Sequence, residues 1–269
     1  MIDPRTELRL GNYRDALEDD QCDALIVDAP YSARTHGGHD GALTGGTHAS
    51  HRSGNAEIAP YVRYRADRDR TEVEYAQTRR AIDYDGWTPA DVAAFCEFWG
   101  PRTRGWMVTI TDHVLAPVWS AAFASTGRYV FAPLPWYAPG SRVRLAGDGP
   151  SSWTCWIVVA RPRVAPYSKW GTLPGGYAIP SDRRSPVVGS KPLALMRAIV
   201  RDYSRPGDVV CDPCAGGGTT LRAAQLEGRR SVGSEMDPDT YAKAVERLRQ
   251  PYTQPLALDA PHATQGDLI

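Results

Sequence analysis

Two short stretches carry residue types that could do chemistry on a bound ligand. The first is Asp28-Ala29-Pro30-Tyr31, directly after the apolar run Ala24-Leu25-Ile26-Val27. A carboxylate, an exposed carbonyl, a rigid proline and an aromatic ring then meet at a strand's C-terminal end, where open α/β sheets bind ligands. Read alone, a strand-ending Asp with Pro-Tyr is also an ordinary turn. The second stretch is Asp212-Pro213-Cys214-Ala215-Gly216-Gly217-Gly218, which follows Val209-Val210-Cys211 and opens a helix at Thr219-Thr220. Strand, glycine-rich turn and helix let backbone approach a nucleotide-like ligand at a helix N-terminus. Glu235, at the end of the next strand, is placed to bind ribose hydroxyls. The glycines are consecutive, unlike a dinucleotide fingerprint, and no Gly-Lys-Ser/Thr is present, which excludes a Walker phosphate loop. The bland alternative is a glycine-rich connector with no ligand.

Other patterns carry less. Arg63, Arg65, Arg68, Arg70, Arg79 and Arg80 are interleaved with Tyr61, Tyr64 and Tyr75. Arg161, Arg163, Lys169, Arg183 and Arg184 lie in a later loop. Both sets could form a rim facing nucleic acid. Because Asp67, Asp69, Glu72 and Glu74 share the first cluster, a solvated, charge-balanced loop reads equally well. Cys211 and Cys214 form a CxxC with no second pair, which argues against zinc or redox work. His36, His39, His48 and His51 have metal-like spacing but no cysteine nearby, so a polar loop is the better reading. Trp136, Trp153 and Trp170 could border a base pocket, although tryptophans are mostly core residues.

The elements that must position these residues alternate. Residues 8–11 read as a short strand, 13–17 as a short helix and 24–27 as a strand covered on both faces. Residues 33–80 are rich in Gly, His, Ser, Thr and Arg without a period, and read as a loop insertion. Thr88-Pro89-Ala90-Asp91 is a capping box with proline at the first helical position. It starts a helix whose Val92, Phe95, Cys96 and Trp99 share one face. Strands at 107–110, 129–131 and 153–160 flank a helix at 113–125, and 161–190 reads as loop. A helix at 191–203, a strand at 209–211, a helix at 219–226, a strand at 230–235 and a helix capped by Asp237 follow. Strands alternating with helices imply an α/β sheet with helices on both faces. Residues 1–250 read as one domain, with a weakly ordered tail at 251–269.

The chain has 269 residues, 42% of them hydrophobic and 23% charged, the composition of an ordinary globular protein. With 31 basic and 31 acidic residues the formal net charge is zero, which argues against a uniformly basic coat but does not exclude a local basic face. No apolar run is long enough for a membrane span, and the first residues have no signal-peptide core. Five cysteines, an odd number at low density, point to free thiols in a reducing compartment, and a cytoplasmic location is expected.

Together the two motifs resemble those of the S-adenosylmethionine-dependent DNA amino-methyltransferases. That family has a strand ending in Asp/Asn/Ser-Pro-Pro-Tyr/Phe/Trp and another leading into Asp-Pro-Phe-Ala-Gly-Ser-Gly-Thr-Thr. Lys191-Pro192 matches its Lys-Pro before the second strand, Gly11-Asn12 its Gly-Asp after the first short strand, and Glu235 its following acid. Ala29 replaces a proline but keeps the backbone carbonyl; Asn12 keeps an acceptor oxygen without charge; Cys214 replaces an aromatic wall. The motif order, catalytic motif first, is the family's β arrangement. The resemblance implies a three-layer α/β sandwich of Rossmann-like methyltransferase type, with a mostly parallel sheet and circularly permuted motifs. It assigns catalysis to Asp28, Ala29, Pro30 and Tyr31. It assigns S-adenosylmethionine binding to Asn12, Asp28, Lys191, Asp212, Cys214, Ala215, Gly216, Gly217, Gly218, Thr219, Thr220, Glu235 and Met236.

The same resemblance implies double-stranded DNA as partner, permits a homodimer, and places the chain in a bacterium, an archaeon or a phage. Acceptors at Asp28 and the Ala29 carbonyl would hold the two N–H bonds of an exocyclic amine, with Tyr31 stacked on a flipped base. Adenine is expected ahead of cytosine, because Asp in the first motif position goes mostly with adenine in the family. The rival readings are a cytosine-N4 enzyme, a catalytically silent DNA-binding protein of the same fold, and the same chemistry on RNA or a small molecule.

Overall fold

The structure, a computed structural model, describes residues 2–33, 35, 85–139, 152–163, 171–181, 187 and 189–251. The histidines and arginines of the insertion, Lys169, Trp170, Arg183, Arg184 and the tail after 251 lie outside the described residues.

The elements are β1 (Thr6–Leu10), α1 (Tyr13–Ala16), β2 (Cys22–Val27), α2 (Pro89–Trp99), β3 (Thr103–Thr111), α3 (Ala116–Ser125), β4 (Tyr129–Val130), β5 (Leu134–Tyr137), β6 (Thr154–Arg161), β7 (Tyr177–Ala178), α4 (Leu193–Tyr203), β8 (Val209–Asp212), α5 (Thr219–Leu226), β9 (Arg230–Glu235) and α6 (Pro238–Arg249). The strands form one sheet in the order β1-β9-β8-β2-β3-β6-β5-β7, with β4 paired to β6. Strands β1, β9, β8, β2 and β3 are parallel, and β6 runs against both of its sides. The expected mostly parallel sheet is therefore present.

Strand β2 explains its own composition. Leu25 and Val27 face a core layer built by α2 and α3, with Phe95, Trp99, Trp119 and Phe123. Ala24 and Ile26 face the opposite layer, built by α4 and α5, with Met196, Ile199, Val200 and Ala223. Leu25, Ile26 and Val27 are all fully buried, and each such side chain contributes about 1.5–3 kcal/mol relative to exposure. Leu8, Leu221, Ala244 and Leu248 seal a third cluster under α6. Helices thus cover both faces, giving the three-layer sandwich.

The helix signals act as read. Thr88 Oγ1 accepts from the Asp91 amide at 3.3 Å, and the Asp91 carboxylate accepts from the Thr88 amide at 2.8 Å, closing the capping box of α2. Asp237 caps α6 by accepting from the Thr240 amide at 2.7 Å. Two strands escape sequence reading. Strand β5 contains Pro135, which removes a donor, and β7 is only two residues long. Trp136 ties them together by donating Nε1–H to the Ile179 carbonyl at 2.8 Å, so it is a buried strut of this sheet extension. Trp153 is exposed and lies beside the Tyr137 ring. All five cysteines are free thiols. Among the described residues, no helix is long and apolar enough to cross a membrane.

Candidate active site

Parallel pairing brings the C-terminal ends of β1, β9, β8, β2 and β3 to one edge of the sheet. In spatial order that edge carries Gly11-Asn12, Glu235-Met236, the 212–218 loop, Asp28-Ala29-Pro30-Tyr31 and Asp112. From β8 the chain moves outward to β9, and from β2 it moves the other way to β3. The crevice between β8 and β2 is therefore the topological switch point, where such sheets bind ligands.

The 212–218 loop owes its shape to glycine. Gly216 and Gly218 have φ of 50° and 71°, in the left-handed region that other residues rarely adopt. A Cβ on Gly217 would meet Ser190 Oγ and Val187 Cγ2 at 3.0 Å, so backbone there packs directly on the 187–190 segment. A Cβ on Gly216 would meet nothing nearer than the Cys214 carbonyl at 4.0 Å, so that position opens onto the crevice. Arg247 supports the loop from outside, donating to the Gly217 carbonyl at 2.9 Å and to Thr219 Oγ1 at 2.5 Å. The Ala215 amide donates a hydrogen bond to the Ser234 carbonyl at 2.9 Å.

Glu235 is tied into this frame. Its Oε2 accepts from the Gly216 amide at 2.8 Å and its Oε1 from the Asp237 amide at 2.9 Å. The Glu235 carbonyl accepts from the Gly11 amide at 2.8 Å, which places Asn12 beside it. Asn12 Oδ1 caps α1 by accepting from the Arg14 amide at 2.9 Å. Met236 is 62% exposed at the same rim, and Cys214 packs against the core layer that holds Tyr13.

Asp212 is only 1% exposed. Its Oδ1 accepts from the Cys214 amide at 3.2 Å. Burial pushes its carboxyl up to about 7; the Thr220 hydroxyl and the Cys214 amide oppose that, and the nearby charges of Asp28 and Glu235 add to it.

Asp28 and Lys191 meet at 2.6 Å, with side chains 22% and 10% exposed. Lys191 Nζ also donates to the Gly189 carbonyl at 3.1 Å and lies 4.8 Å from the Tyr31 ring centroid. Lys191, expected among the cofactor contacts, is thus held between the two chemical side chains of the other motif. One residue of the site escaped sequence reading. Asp112, at the end of β3, accepts hydrogen bonds from Ser32 and Thr35 just beyond Tyr31. Its position at a strand's C-terminal end was the available signal.

Three carboxylates, Asp28, Asp212 and Glu235, thus share a crevice in which burial already disfavours ionisation of one of them. Such a site suits a cationic ligand bearing hydroxyls, and it fits the sulfonium, ammonium and ribose of S-adenosylmethionine.

A family model described as DNA methylase matches residues 100–246, more than half of the chain. The chain belongs to this family. The family depends on S-adenosylmethionine, in agreement with the donor set of the crevice. Over 70 residues the chain is 39% identical to the type II methyltransferase M.HindIII of Haemophilus influenzae, covering 26% of this chain and 23% of that protein. Over 58 residues it is 40% identical to the DNA adenine methyltransferase YhdJ of Escherichia coli, covering 22% and 20%. With the type II methyltransferase M.Cfr9I of Citrobacter freundii it shares 27% over 146 residues, 49% of each. The chain spans half the length or less of these curated relatives. Among solved structures, the M1.HpyAVI–SAM complex superposes with a TM-score of 0.58 at 17% identity, over 90% of this chain and 99% of that one. The cytosine-N4-specific PvuII DNA methyltransferase gives 0.58 at 12% identity, over 94% and 91%. Those identities speak for the shared methyltransferase fold alone.

Proposed function

We propose that the chain transfers a methyl group from S-adenosylmethionine to an exocyclic amino nitrogen of a base in double-stranded DNA, adenine N6 ahead of cytosine N4. The observation that carries this reading is the meeting of the Asp28 motif and the Gly216–Glu235 frame at one switch-point crevice.

When bound, S-adenosylmethionine supplies a methyl on a positively charged sulfur. Glu235, fixed by the Gly216 and Asp237 amides, is the residue for its ribose hydroxyls, with Asn12 at the adenine end and Asp212 near the cationic end. On the other side Asp28 and the Ala29 carbonyl accept the two N–H bonds of the target amine. That nitrogen is conjugated with its ring and nucleophilically weak; two acceptors favour a tetrahedral nitrogen whose lone pair is aimed for in-line displacement. The Lys191 ammonium pairs with Asp28 at 2.6 Å and so sets a cation beside this acceptor. Asp28 need not be a strong base, because the proton becomes acidic once the nitrogen is methylated. Tyr31 stacks on the base, which must leave the duplex to reach it. Residues 33–80 and 161–190 are the segments for DNA contact and target recognition.

The preference for adenine rests on Asp28 as first residue of its motif and is supported by the relative named as an adenine methyltransferase. The test is methylation of duplex DNA followed by digestion and mass spectrometry. Methylated adenine is expected; methylated cytosine alone overturns the base assignment, and no methylated base with intact cofactor binding favours a silent DNA-binding protein.

A further inference from the structure

We propose that Asp112 is a positioning residue that fixes the Asp28–Tyr31 loop in its working shape by clamping Ser32 and Thr35 just beyond its turn. The inference rests on the methyl-transfer reading above and adds a residue to it.

Asp112 directly follows the last residue of β3 and is 5% exposed. One carboxylate oxygen, Oδ2, accepts from the Ser32 amide at 3.0 Å, from Ser32 Oγ at 2.5 Å and from Thr35 Oγ1 at 2.5 Å. The other, Oδ1, accepts from the amides of Val114 and Leu115 at 3.0 and 2.9 Å, just ahead of α3. Five donors on one carboxylate fill its acceptor capacity. Burial alone would raise its pKa, but the bonds from Ser32, Thr35 and Leu115 outweigh that and hold it below the ordinary value.

The placement of the donors makes this a matter for the reaction rather than for folding alone. Strands β2 and β3 pair in parallel with Val27 opposite Thr109, so the chain leaving β2 through Asp28 runs beside the last residues of β3. It is caught at Ser32, the residue after Tyr31. The Tyr31 carbonyl is held as well, accepting from the Trp87 amide at 2.9 Å. The loop is thus anchored by β2 on one side and by Asp112 on the other, with Asp28, the Ala29 carbonyl and Tyr31 between the anchors. Acceptors that must meet two N–H bonds of a flipped base tolerate little drift.

Replacement by Asn keeps the shape but gives one arm donors in place of an acceptor. If Oδ1 stays on the Val114 and Leu115 amides, an NH₂ faces the Ser32 amide, and two donors oppose each other. The experiment compares wild type, Asp112→Asn, Ser32→Ala, Thr35→Ala and Thr35→Ser. Amide hydrogen exchange is followed in ligand-free protein over residues 28–32, S-adenosylmethionine affinity by calorimetry, and kcat and KM on duplex DNA.

Asp112→Asn is expected to speed exchange at Ser32 by about tenfold or more and to lower kcat by about tenfold or more, with KM and cofactor affinity within about threefold. Thr35→Ala should follow in the same direction, and Thr35→Ser should restore wild-type values. A folded Asp112→Asn protein with unchanged exchange and kcat overturns the proposal. If Asp112→Asn does not fold, unchanged exchange and kcat in both Ser32→Ala and Thr35→Ala overturn it instead. Wild-type protein that binds cofactor but methylates nothing defeats the methyl-transfer reading, while the exchange comparison still decides the clamp.

Discussion

Lys191 and Asp28 lie 163 positions apart in the chain and form an ion pair of 2.6 Å at the switch point of the sheet. The pair joins the segment leading into α4 to the end of β2, and it brings a cation to the one carboxylate that the proposed chemistry needs ionised. Lys191→Met should leave Asp28 partly buried without that partner. Because Asp28 keeps some solvent contact, the stability loss should be about 2 kcal/mol, less than for a fully buried pair. Methyl transfer should fall more steeply than cofactor affinity. Thermal unfolding beside initial rates checks both, and an unchanged rate defeats the role given to Lys191.

Asp28→Ala should abolish transfer while cofactor binding stays within about fivefold of wild type, because the lost contact serves the transition state of the amine. Calorimetric titration with S-adenosylmethionine and a methyl-transfer assay on the same preparation measure the two sides. An active Asp28→Ala enzyme sinks the mechanism.

Gly216 and Gly217 should fail in different ways. Gly216→Val places its side chain toward the crevice and adds about 1–2 kcal/mol of left-handed strain, so cofactor binding is lost in a folded protein. Gly217→Val drives its side chain into Ser190 and Val187, so stability falls first. Denaturant unfolding and cofactor titration on both variants separate them; retained cofactor binding by Gly216→Val refutes the placement.

Asp212 sets a pH dependence. Its pKa in the folded protein, raised to about 7, lies above the ordinary 3.8, so folding favours the protonated form. Its stabilising contribution is complete below about pH 4 and is lost as the pH rises to about 7. A cationic ligand favours the ionised form, so binding at pH 6–7 should release up to about one proton, and binding at pH 9 should release almost none. Calorimetry in buffers of different ionisation enthalpy reads this directly. Asp212→Asn should flatten the profile; an unaltered profile in that variant means that another group is responsible.

Much of this site was legible because strand ends and caps are local signals. The bounds of α5 and β9, the Thr88–Asp91 box and the Asp237 cap follow from a few neighbouring residues. Asp28 and Asp212 stand out because each ends an apolar run, and Glu235 because it ends the strand that follows the glycine loop and its helix. The rest depends on distance in space. Nothing near Asp112 announces that Ser32, 80 positions earlier, will donate to it. Arg128 is equally silent: it is 5% exposed and donates to the carbonyls of Gly100, Thr103 and Gly105, a structural role no spacing reveals. Pro135 actively misleads, since proline argues against a strand that β6 nevertheless pairs.

DNA binding offers a further test outside the crevice. If about six arginines meet phosphates, affinity should fall roughly a thousandfold between 50 and 200 mM salt. Removing residues 40–75 should flatten that slope. A salt-independent affinity, or full activity after the deletion, refutes a DNA role for the insertion.

The bond from the Trp87 amide to the Tyr31 carbonyl, with Gly86 so close to Ala33 that a Cβ would sit 2.5 Å from the Ala33 nitrogen, has a consequence for how such a protein can change. The chain departs near 33 and returns at 86 to nearly the same spot, so the Asp28–Tyr31 turn is closed on itself whatever length of polypeptide lies between. Segments exchanged between Thr35 and Asp85 would leave the sheet, the crevice and the Asp112 bonds to Ser32 and Thr35 as they are, which makes that interval the natural splice point for testing the DNA-contact role proposed for it.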